Sequence, residues 1–268
     1  MKLAILLTGT IKPSVVGGNF SVEERKKMYE GTLLYYAKVI GKDYPLVFVE
    51  NSDTDLSWIA PLKYQLSMEV LQFNPQNTEN LDFDTSKGKG YNEFLMIKKA
   101  VGVSHYLNEV THILKITGRY PMLNIRTIIA EIEKRVQNRN IVYMGDIKDT
   151  CIYKLMGIKT ISSSYGDCRF FVVQKNFYIE NLADCYKEMN DYIEGQWAED
   201  FFVRLSRRYR KDKRFIFRFR HQVQIDGISG VVKSKEEAIG NMNYNSRQSQ
   251  LKNKLRYILR IICPGIWF

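Results

Sequence analysis

The stretch from His112 to Pro121, HILKITGRYP, decides the fold class. Its first half is an apolar run of strand length, and it ends in a polar loop that contains a glycine. Pro121 suits the first turn of a helix, which we expect to continue to about Arg135. A buried strand followed by a loop and a helix is the repeating unit of a parallel sheet. Ligands bind beyond the carboxyl ends of such strands, so the loop Thr117–Tyr120 is where a site is expected.

The same unit recurs on both sides of this stretch. Short apolar runs predict five more strands: Lys2–Leu7, Leu46–Val49, Met68–Phe73, Ile141–Met144 and Arg169–Val173. Helical patterns cover residues 21–40, which open with the capping-box sequence Ser-Val-Glu-Glu, and residues 91–107 and 196–209. The segment 214–225 alternates as a β-hairpin would. The sequence therefore predicts an α/β fold with a mostly parallel central sheet flanked by helices.

Composition and charge narrow the classes of function. The chain has 268 residues and a net charge of +11. Its apolar runs are far shorter than the ~20 residues of a membrane-spanning helix, and its four cysteines lack the spacing of a zinc site. Residues 204–220 include nine basic residues and one acid, and residues 241–268 include five basic residues and no acid. A near-neutral domain with a cationic C-terminal quarter favours a partner that carries phosphate, such as nucleic acid, a charged substrate or an anionic lipid.

Lys115 lies inside a predicted apolar strand, where a charged side chain is costly without a partner. It therefore needs an anion. Gly118 lets the chain turn sharply, and Arg119 can then offer two parallel donors to phosphate oxygens. Lys115, Thr117 and Arg119 thus indicate a diphosphate site, with a surface strand end that carries a salt-bridged lysine as the alternative.

A second candidate is the segment from Lys87 to Glu93, KGKGYNE, which leads into a predicted helix. Backbone N–H groups at a helix N-terminus bind phosphate, and glycines let the backbone approach it closely. The segment lacks the spacing of a P-loop and of the dinucleotide fingerprint. Lys87, Lys89 and Asn92 are therefore candidates for phosphate or ribose binding, with a lysine-rich surface loop as the alternative.

Four aspartates in polar loops are weak metal candidates: Asp82, Asp84, Asp146 and Asp149. Carboxylate oxygens bind Mg²⁺ or Mn²⁺, but turn formation and helix capping are commoner uses of such residues. His221 precedes a glycine-framed loop, 226–230, that could fold over a ligand, although a lone histidine is more often structural.

Glu199 and Asp200 follow Trp197 near the start of a predicted helix. The helix dipole favours acids there, which is the structural explanation. A carboxylate beside apolar bulk also has the raised pKa of a general base. One of the two acids is thus a candidate for catalysis.

The C-terminal segment has one apolar helical face, formed by Leu251, Leu255, Ile258, Leu259 and Ile262. Basic residues lie beside this face, and no acid does. The pattern is typical of a helix that lies on an anionic lipid surface. A helix docked on the domain is the alternative.

With these residues, the chain resembles bacterial nucleotide-sugar glycosyltransferases with a GT-A-like fold, of the kind that build capsule and O-antigen polysaccharides. The resemblance covers residues 1–230 and rests on 2–10, 50–52, 87–93 and above all on the Lys-x-Thr-Gly-Arg-Tyr string of 115–120. Residues 197–200 and 226–230 look like acceptor-side elements. Many GT-A enzymes carry a metal-binding Asp-x-Asp where this sequence has Lys115–Tyr120, so neither Mg²⁺ nor Mn²⁺ is expected to be required.

The resemblance implies a division of roles. Residues 1–150 would form the nucleotide-sugar half of a catalytic domain, 151–230 the acceptor half, and 231–268 a basic linker with a membrane-associating tail. The donor-binding residues would be Thr8, Gly9, Thr10, Glu50, Asn51, Ser52, Lys87, Lys89, Asn92, Lys115, Thr117, Arg119 and His221. Lys115 and Arg119 would also neutralise the departing diphosphate, and Glu199 or Asp200 would accept the proton of the acceptor hydroxyl.

These roles imply partners and a location. The donor would be a nucleotide sugar, with UDP as the expected nucleotide, and the acceptor a glycan on a lipid diphosphate carrier. The protein would work in the cytoplasm, on the inner face of a bacterial plasma membrane, without nucleic acid. Two rivals remain. A nucleic-acid-binding protein would use 204–220 as a phosphate track with Phe215, Phe217 and Phe219 stacking on bases; a sugar nucleotidyltransferase would share the nucleotide-binding half.

Overall fold

The computed structural model describes residues 2–13, 20–74, 82–151, 157, 163–226 and 246–263. Seven strands in this part of the chain form one sheet: β1 (Leu3–Gly9), β2 (Leu46–Glu50), β3 (Met68–Gln72), β4 (His112–Thr117), β5 (Tyr143–Lys148), β6 (Tyr165–Gln174) and β7 (Phe215–Ile216). Their order is β3-β2-β1-β4-β6-β5-β7. Among these seven, β6 alone runs antiparallel to its neighbours. The mostly parallel sheet predicted from the sequence is confirmed.

Helices of 11 residues or more within the same residues are α1 (Val22–Val39), α2 (Gly88–Val103), α3 (Ile125–Arg139), α4 (Ala198–Arg208) and α5 (Arg247–Ile262). Shorter helical turns lie at Ser57–Tyr64, Thr85–Lys87, His105–Asn108, Lys175–Phe177, Tyr178–Leu182 and Cys185–Glu188. α1 begins where its capping box predicts. Ser21 Oγ accepts from the N–H of Glu24, and the Glu24 carboxylate accepts from the N–H of Ser21.

The central strands β1, β2 and β4 are mostly apolar and almost wholly buried, because helices cover both faces of the sheet. Ile5 and Leu7 of β1 belong to one core cluster with residues of α1 and α3. Ala4 and Leu6 belong to a second cluster with residues of α2 and α4. Successive side chains of a strand point to opposite faces, so a strand without polar alternation needs cover on both sides.

Two elements differ from their prediction. Residues 121–124 form a turn before α3, because the Asn124 side chain holds the backbone of Gln222 and Gln224. The segment 214–225 is not a hairpin. Its first residues, Phe215–Ile216, pair in parallel with β5, and Ile225 forms an antiparallel bridge with Met122. The two ends of this strand-like segment therefore pair with two different parts of the chain, β5 and Met122.

No helix within the described ranges is both long and apolar enough to cross a bilayer. The glycine-framed loop residues 227–230, the linker to residue 245 and the final residues Trp267 and Phe268 lie outside the described residues.

Candidate functional site

A cavity of about 270 Å³ opens at the carboxyl ends of β1, β2 and β4. Nine of the residues expected to bind a donor line it: Thr8, Gly9, Thr10, Asn51, Ser52, Lys89, Asn92, Thr117 and Arg119. The parallel register explains how loops so far apart in sequence meet. Thr8 pairs with Val49 of β2 on one side and with Thr117 of β4 on the other.

Positive charge is concentrated on this cavity. Burial lowers the pKa of Arg25, and the charge of Arg119 lowers it further. Burial also lowers the pKa of Lys89, and the charges of Arg119 and Arg25 add to this effect. All three side chains line the cavity. Cations that destabilise one another's charge in this way occupy a place where an anion would relieve the repulsion.

Arg119 has donor capacity to spare. Its Nη2 donates to the Tyr120 hydroxyl at 3.0 Å, and the guanidinium carbon lies 5.0 Å from the centre of that ring. Its Nη1 is buried and has no hydrogen-bond partner among the described residues. A buried donor without a partner costs about 1–3 kcal/mol. An anion whose oxygen atom accepts a hydrogen bond from Nη1 would remove this cost.

Arg25 and Tyr29 of α1 are site residues that the sequence analysis missed. Arg25 Nε and Nη2 donate to Thr10 O at 3.0 and 2.6 Å. The Tyr29 hydroxyl accepts from Thr10 N at 2.8 Å. The two side chains lie one turn apart and together fix the loop after β1. A signal was present, because an arginine near the positive end of a helix opposes the helix dipole and needs another reason to be there.

Lys115 is fully buried and already paired. Its Nζ lies 2.7 Å from Glu93 Oε1, and it donates to Cys168 O at 2.7 Å and to Thr117 Oγ1 at 3.2 Å. The anion that the sequence calls for is therefore Glu93 of α2. The structure places Lys115 beneath the cavity wall, where it holds Glu93, and not among the lining cations.

Glu93 links this buried lysine to the cavity. Its side chain is 27% exposed and lines the cavity. It also accepts from Thr8 Oγ1 at 2.6 Å. Burial raises the pKa of Glu93, but the charge of Lys115 and these hydrogen bonds outweigh burial, so its pKa is lowered and the carboxylate is ionised.

Glu50 also lies behind the cavity wall. It is fully buried and accepts from Ile11 N at 2.9 Å, from Ser52 N at 2.7 Å and from the Ser52 hydroxyl. Burial raises its pKa against these hydrogen bonds. Glu50 thus positions the two loops that face the cavity, which are also joined by a 2.6 Å hydrogen bond from Thr10 Oγ1 to Asn51 Oδ1.

The N-terminus of α2 is occupied by a carboxylate of the protein. Asp191 Oδ2 accepts from Lys89 N at 2.5 Å, and both carboxylate oxygens accept from Gly90 N at 3.2 and 3.3 Å. Gly88 has a φ of 89°, and a Cβ there would lie 2.5 Å from Asp191 Cβ. This cap starts α2 at Gly88, earlier than predicted. The side chain of Lys89 lines the cavity, whereas that of Lys87 does not.

The structure separates the two acids at the start of α4. Asp200 Oδ2 accepts from Trp197 N at 3.3 Å, which is a helix-capping contact. Glu199 is half-buried. Burial raises its pKa, and the nearby charges of Asp191 and Glu93 raise it further. Of the two acids, Glu199 therefore has the electrostatic properties of a general base.

His221 does not line the cavity. Its Nδ1 lies 2.8 Å from Glu131 Oε2 of α3, and its ring lies 4.7 Å from the ring of Tyr257 of α5. The structure therefore places His221 in the contact between α3 and α5 and not with the residues expected to bind a donor.

The four aspartates considered as metal candidates are each engaged within the protein: Asp82 by Lys99, Asp84 by Ser86, Asp146 by Arg260 and Asp149 by Arg207. No group of three or more His, Cys, Asp or Glu side chains suited to a metal ion occurs in the described part of the chain.

Comparison with known proteins finds likeness in solved structures alone. No protein-family model and no curated protein sequence matches the chain. Core-mannan synthase A of Aspergillus fumigatus, in an Mn/GDP form, matches with a TM-score of 0.46 and 10% identity over 97% of this chain and 85% of that chain. S. aureus TarS matches with a TM-score of 0.32 and 16% identity over 55% of this chain, and the match spans 21% of TarS.

A third match has a different activity in its name. A cytidylyltransferase from Leptospira borgpetersenii has a TM-score of 0.42 and 12% identity over 80% of this chain and 74% of that chain.

Proposed function

We propose that this protein is a glycosyltransferase that takes a sugar from a nucleotide diphosphate and transfers it to a hydroxyl group of a lipid-linked glycan. The observation that carries the proposal is the convergence of Arg25, Lys89 and Arg119 on one cavity at the carboxyl edge of the sheet. A diphosphate has the charge and the oxygen atoms to engage all three. The same cavity is also lined by hydroxyl and amide side chains, including those of Thr8 and Thr117, which are suited to bind a ribose and a base.

In the proposed reaction, the bond between the anomeric carbon of the sugar and the diphosphate oxygen breaks, and the electron pair stays on the diphosphate. Arg119 would stabilise this growing charge through Nη1, and Lys89 and Arg25 would add their charges. By comparison with oxyanion donors, one such group contributes on the order of 3 kcal/mol to the transition state.

Glu199 would accept the proton of the acceptor hydroxyl while the oxygen of that hydroxyl forms the new bond to the anomeric carbon. Its raised pKa makes it a stronger base than an exposed carboxylate. The start of α4 also lies against the start of α2, since a Cβ placed on Gly90 would be 3.3 Å from Ala198 Cβ. Glu199 is not itself a lining residue of the cavity, but this contact holds the start of α4 beside the helix that presents Lys89 to it.

The charges of the cavity do not fit a divalent metal ion. Two carboxylates line it, Asp53 and Glu93, and Glu93 is held by Lys115 at 2.7 Å. Mg²⁺ and Mn²⁺ favour several carboxylate and carbonyl oxygens. This cavity is lined instead by four cationic residues, Lys12, Arg25, Lys89 and Arg119. We therefore propose that no metal is required and expect EDTA to leave nucleotide binding unchanged.

The proposed acceptor is a glycan on a lipid diphosphate, used at the inner face of a bacterial plasma membrane, and the proposed donor nucleotide is UDP. Support comes from the C-terminal quarter, which has five basic residues and no acid between residues 241 and 268. Its helix α5 also leaves large apolar side chains exposed.

Calorimetric titration with UDP, GDP, CMP and dTDP tests the cavity directly. Lys89→Gln and Arg119→Gln are each expected to weaken the preferred nucleotide at least tenfold, because a hydrogen bond from a charged donor contributes about 1.5–3 kcal/mol. Lys87→Gln is the matched control, since Lys87 belongs to the same glycine-rich segment but does not line the cavity. Equal loss in all three variants, or loss in none, would remove the diphosphate site.

Product analysis separates the remaining activities. Release of a nucleoside diphosphate together with transfer of the sugar to a lipid-linked glycan supports the proposal. Release of pyrophosphate identifies a nucleotidyltransferase instead. Nucleotide binding that disappears in EDTA would contradict the role given to the protein cations.

A further inference from the structure

A second cavity, of about 410 Å³, is bordered by residues of α3, β7 and α5. It shares no lining residue with the first cavity, which is proposed to bind the nucleotide. Half of its 16 lining residues are basic: Arg135, Arg139, Arg210, Lys211, Lys213, Arg218, Arg220 and Arg260. The proposed sugar transfer gives this cationic cavity no task.

The acids of this cationic cavity do not balance its charge. Its two lining acids are Asp149 and Asp212. Asp149 lies 2.9 Å from Arg207, and Asp212 lies 2.8 Å from Arg214, and neither arginine is a lining residue. Burial opposes ionisation of Asp149, but Arg207 lowers its pKa to about 2. Both acids are therefore already neutralised by other residues.

Two arginines of the cationic cavity are buried with donors to spare. The side chains of Arg135 and Arg260 are 13% and 4% exposed, and each has one acid beside it, Glu131 at 2.8 Å and Asp146 at 3.9 Å. The Nε atom of each is buried without a hydrogen-bond partner among the residues that the structure describes. Burial lowers the pKa of Arg135, and the charges of Arg220 and Arg139 lower it further although Glu131 opposes them. A bound anion would relieve this repulsion.

α5, which borders the cationic cavity, docks on the domain through its polar face. Arg256 Nη1 donates to Gln222 Oε1 at 2.6 Å, and Arg260 Nη1 donates to Phe219 O at 2.9 Å. Arg260, the buried residue of this helix, is 6% exposed. In most globular proteins a helix of this kind buries its apolar face and exposes its charges; here the arrangement is reversed.

The apolar face of α5 points away from the domain. Leu251, Leu255, Ile258 and Ile262 are 70%, 56%, 51% and 69% exposed and form the apolar stripe. Ile261, which is 44% exposed, continues it to the lining of the cationic cavity. The stripe and the cavity are thus parts of one surface, and α5 contributes no acid to it.

We infer that this surface binds an anionic phospholipid membrane, with a lipid phosphate in the cationic cavity and the apolar stripe of α5 among the acyl chains. A bilayer with anionic lipids supplies both chemistries at the same boundary. A nucleic acid supplies phosphates but leaves the stripe in water. A second copy of the chain covers the stripe but brings two cationic surfaces together. The inference concerns binding and does not depend on the proposed sugar transfer.

Further observations weigh against nucleic acid. Phe215 and Phe219 are 6% and 0% exposed, and Phe217 packs against the core. Phe215 and Phe219 are therefore too buried to stack on bases, and the half-buried Phe217 lines the cationic cavity.

Vesicle co-sedimentation tests the inference with two compositions, phosphatidylcholine alone and equal parts of phosphatidylcholine and phosphatidylglycerol. The full chain is expected to sediment with the mixed vesicles and not with the neutral ones. Its binding should weaken as the salt concentration is raised. Failure to sediment with the mixed vesicles would overturn the inference.

A charge variant tests the cationic cavity. The double substitution Arg210→Gln with Lys213→Gln alters two exposed residues and is expected to weaken binding to mixed vesicles about thirtyfold, as for two cations removed from an anionic surface. The matched control, Lys38→Gln with Lys63→Gln, removes two exposed charges that line neither cavity and is expected to bind as the wild type. An equal loss in both variants would reduce the effect to net charge and overturn the site.

A second variant tests the apolar stripe. Leu255→Gln with Ile258→Gln is expected to weaken binding at least tenfold, because the apolar side chains no longer leave water favourably. Leu34→Gln with Val103→Gln alters exposed apolar residues elsewhere and is the control. Circular dichroism checks the fold of each variant, and nucleotide titration checks the first cavity, so that this inference and the proposed function can fail separately.

Two other results would assign the surface to a different partner. Retention of single-stranded RNA at the same salt concentration, without vesicle binding, would make it a nucleic-acid surface. A dimer in analytical ultracentrifugation that the stripe variant converts to a monomer, again without vesicle binding, would make it an interface between copies of the chain.

Discussion

Lys115 and Arg119 lie four residues apart at the end of β4, and burial gives them different chemistry. Lys115 is fully buried with its own counter-ion, Glu93, at 2.7 Å. Arg119 reaches the cavity and keeps Nη1 without a partner among the described residues. The sequence could predict that Lys115 needs an anion, because a lone charge in an apolar strand is costly. It could not predict that a carboxylate on α2 supplies it, since that contact exists in the folded chain alone.

The buried pair gives a prediction for stability. Glu93→Gln is expected to lower the free energy of unfolding by about 3 kcal/mol, because it leaves the charge of Lys115 buried without its counter-ion. Urea unfolding measures the change. The control is the double variant Glu93→Gln with Lys115→Met, which removes the stranded charge and should recover most of the loss. A double variant as unstable as Glu93→Gln alone would contradict this account.

The acids of α4 give a prediction for turnover. Glu199→Gln is expected to lower kcat at least about a hundredfold, because general bases contribute about 10²–10⁴. Asp200→Asn is expected to keep turnover and to lose about 1 kcal/mol of stability with its capping contact. Steady-state kinetics with the identified donor and thermal unfolding measure the two effects. The reverse pattern would transfer the role of base to Asp200.

The pH profile of turnover adds a second measurement for the same base. A general base acts when it is deprotonated, so activity should rise with pH through the pKa of Glu199. Burial raises that pKa above its ordinary value of 4.5, so the acid limb of kcat should lie above the range of an exposed carboxylate. The residual activity of Glu199→Gln should lack this limb.

At the scale of elements, the start of α2 illustrates what a motif does and does not determine. The glycines of 87–93 indicate close approach of an anion to a helix N-terminus, and such an approach occurs. The anion is Asp191, which comes from a segment that no local pattern connects with α2. The motif therefore predicted the kind of contact but not its partner, and the proposed phosphate site is at the side chains of Lys89 and Arg119 instead.

Two glycines of α2 give a matched prediction. Gly88→Ala is expected to destabilise the protein by about 1–3 kcal/mol, because the residue has a φ of 89° and its new Cβ would meet Asp191 at 2.5 Å. Gly102→Ala, with nothing within 4 Å of the added Cβ, should stabilise by about 0.5–1 kcal/mol through helix propensity. Thermal unfolding of both variants measures the difference. The same sign in both would contradict the role assigned to Asp191.

The amphipathic pattern of α5 was predicted correctly, but the side by which it docks was not. Periodicity shows which residues share a face. It does not show that Gln222 and the carbonyl of Phe219 offer acceptors for Arg256 and Arg260. The two expectations, a helix docked on the domain and a helix with an exposed apolar face, do not exclude each other. α5 docks through its arginines and leaves its apolar face exposed.

For the whole molecule, the apolar strands and the intervening helices predicted a mostly parallel sheet covered on both faces. The reversed direction of β6 was not predictable, because period and hydropathy are the same for either strand direction. The segment 214–225 shows the same limit, since its alternation indicates strand-like backbone but not which edge it joins.

Stability in acid is a property of the whole fold to which Asp146 contributes. Burial raises its pKa from 3.8 to about 6, against the opposing charge of Arg260. Between these values the folded protein holds a proton that the unfolded chain has released, so stability falls as pH rises through this window, by up to about 3 kcal/mol. Urea unfolding across the window should show that Asp146→Asn lacks this part of the slope.

The control for this measurement is Asp43→Asn, which alters an exposed carboxylate paired with Arg126. This variant should keep the part of the slope that Asp146 contributes. If Asp146→Asn also kept this part of the slope, the ionisation of Asp146 would not be linked to folding in this range.

The reversed seating of α5 has a thermodynamic consequence. Its attachment to the domain uses Arg256, Tyr257 and Arg260, and its large aliphatic side chains lie on the opposite side. Whatever covers the aliphatic side does not compete with the domain for the helix. A partner that binds the aliphatic side does not first have to detach α5 from the domain. The binding free energies of the two contacts therefore add.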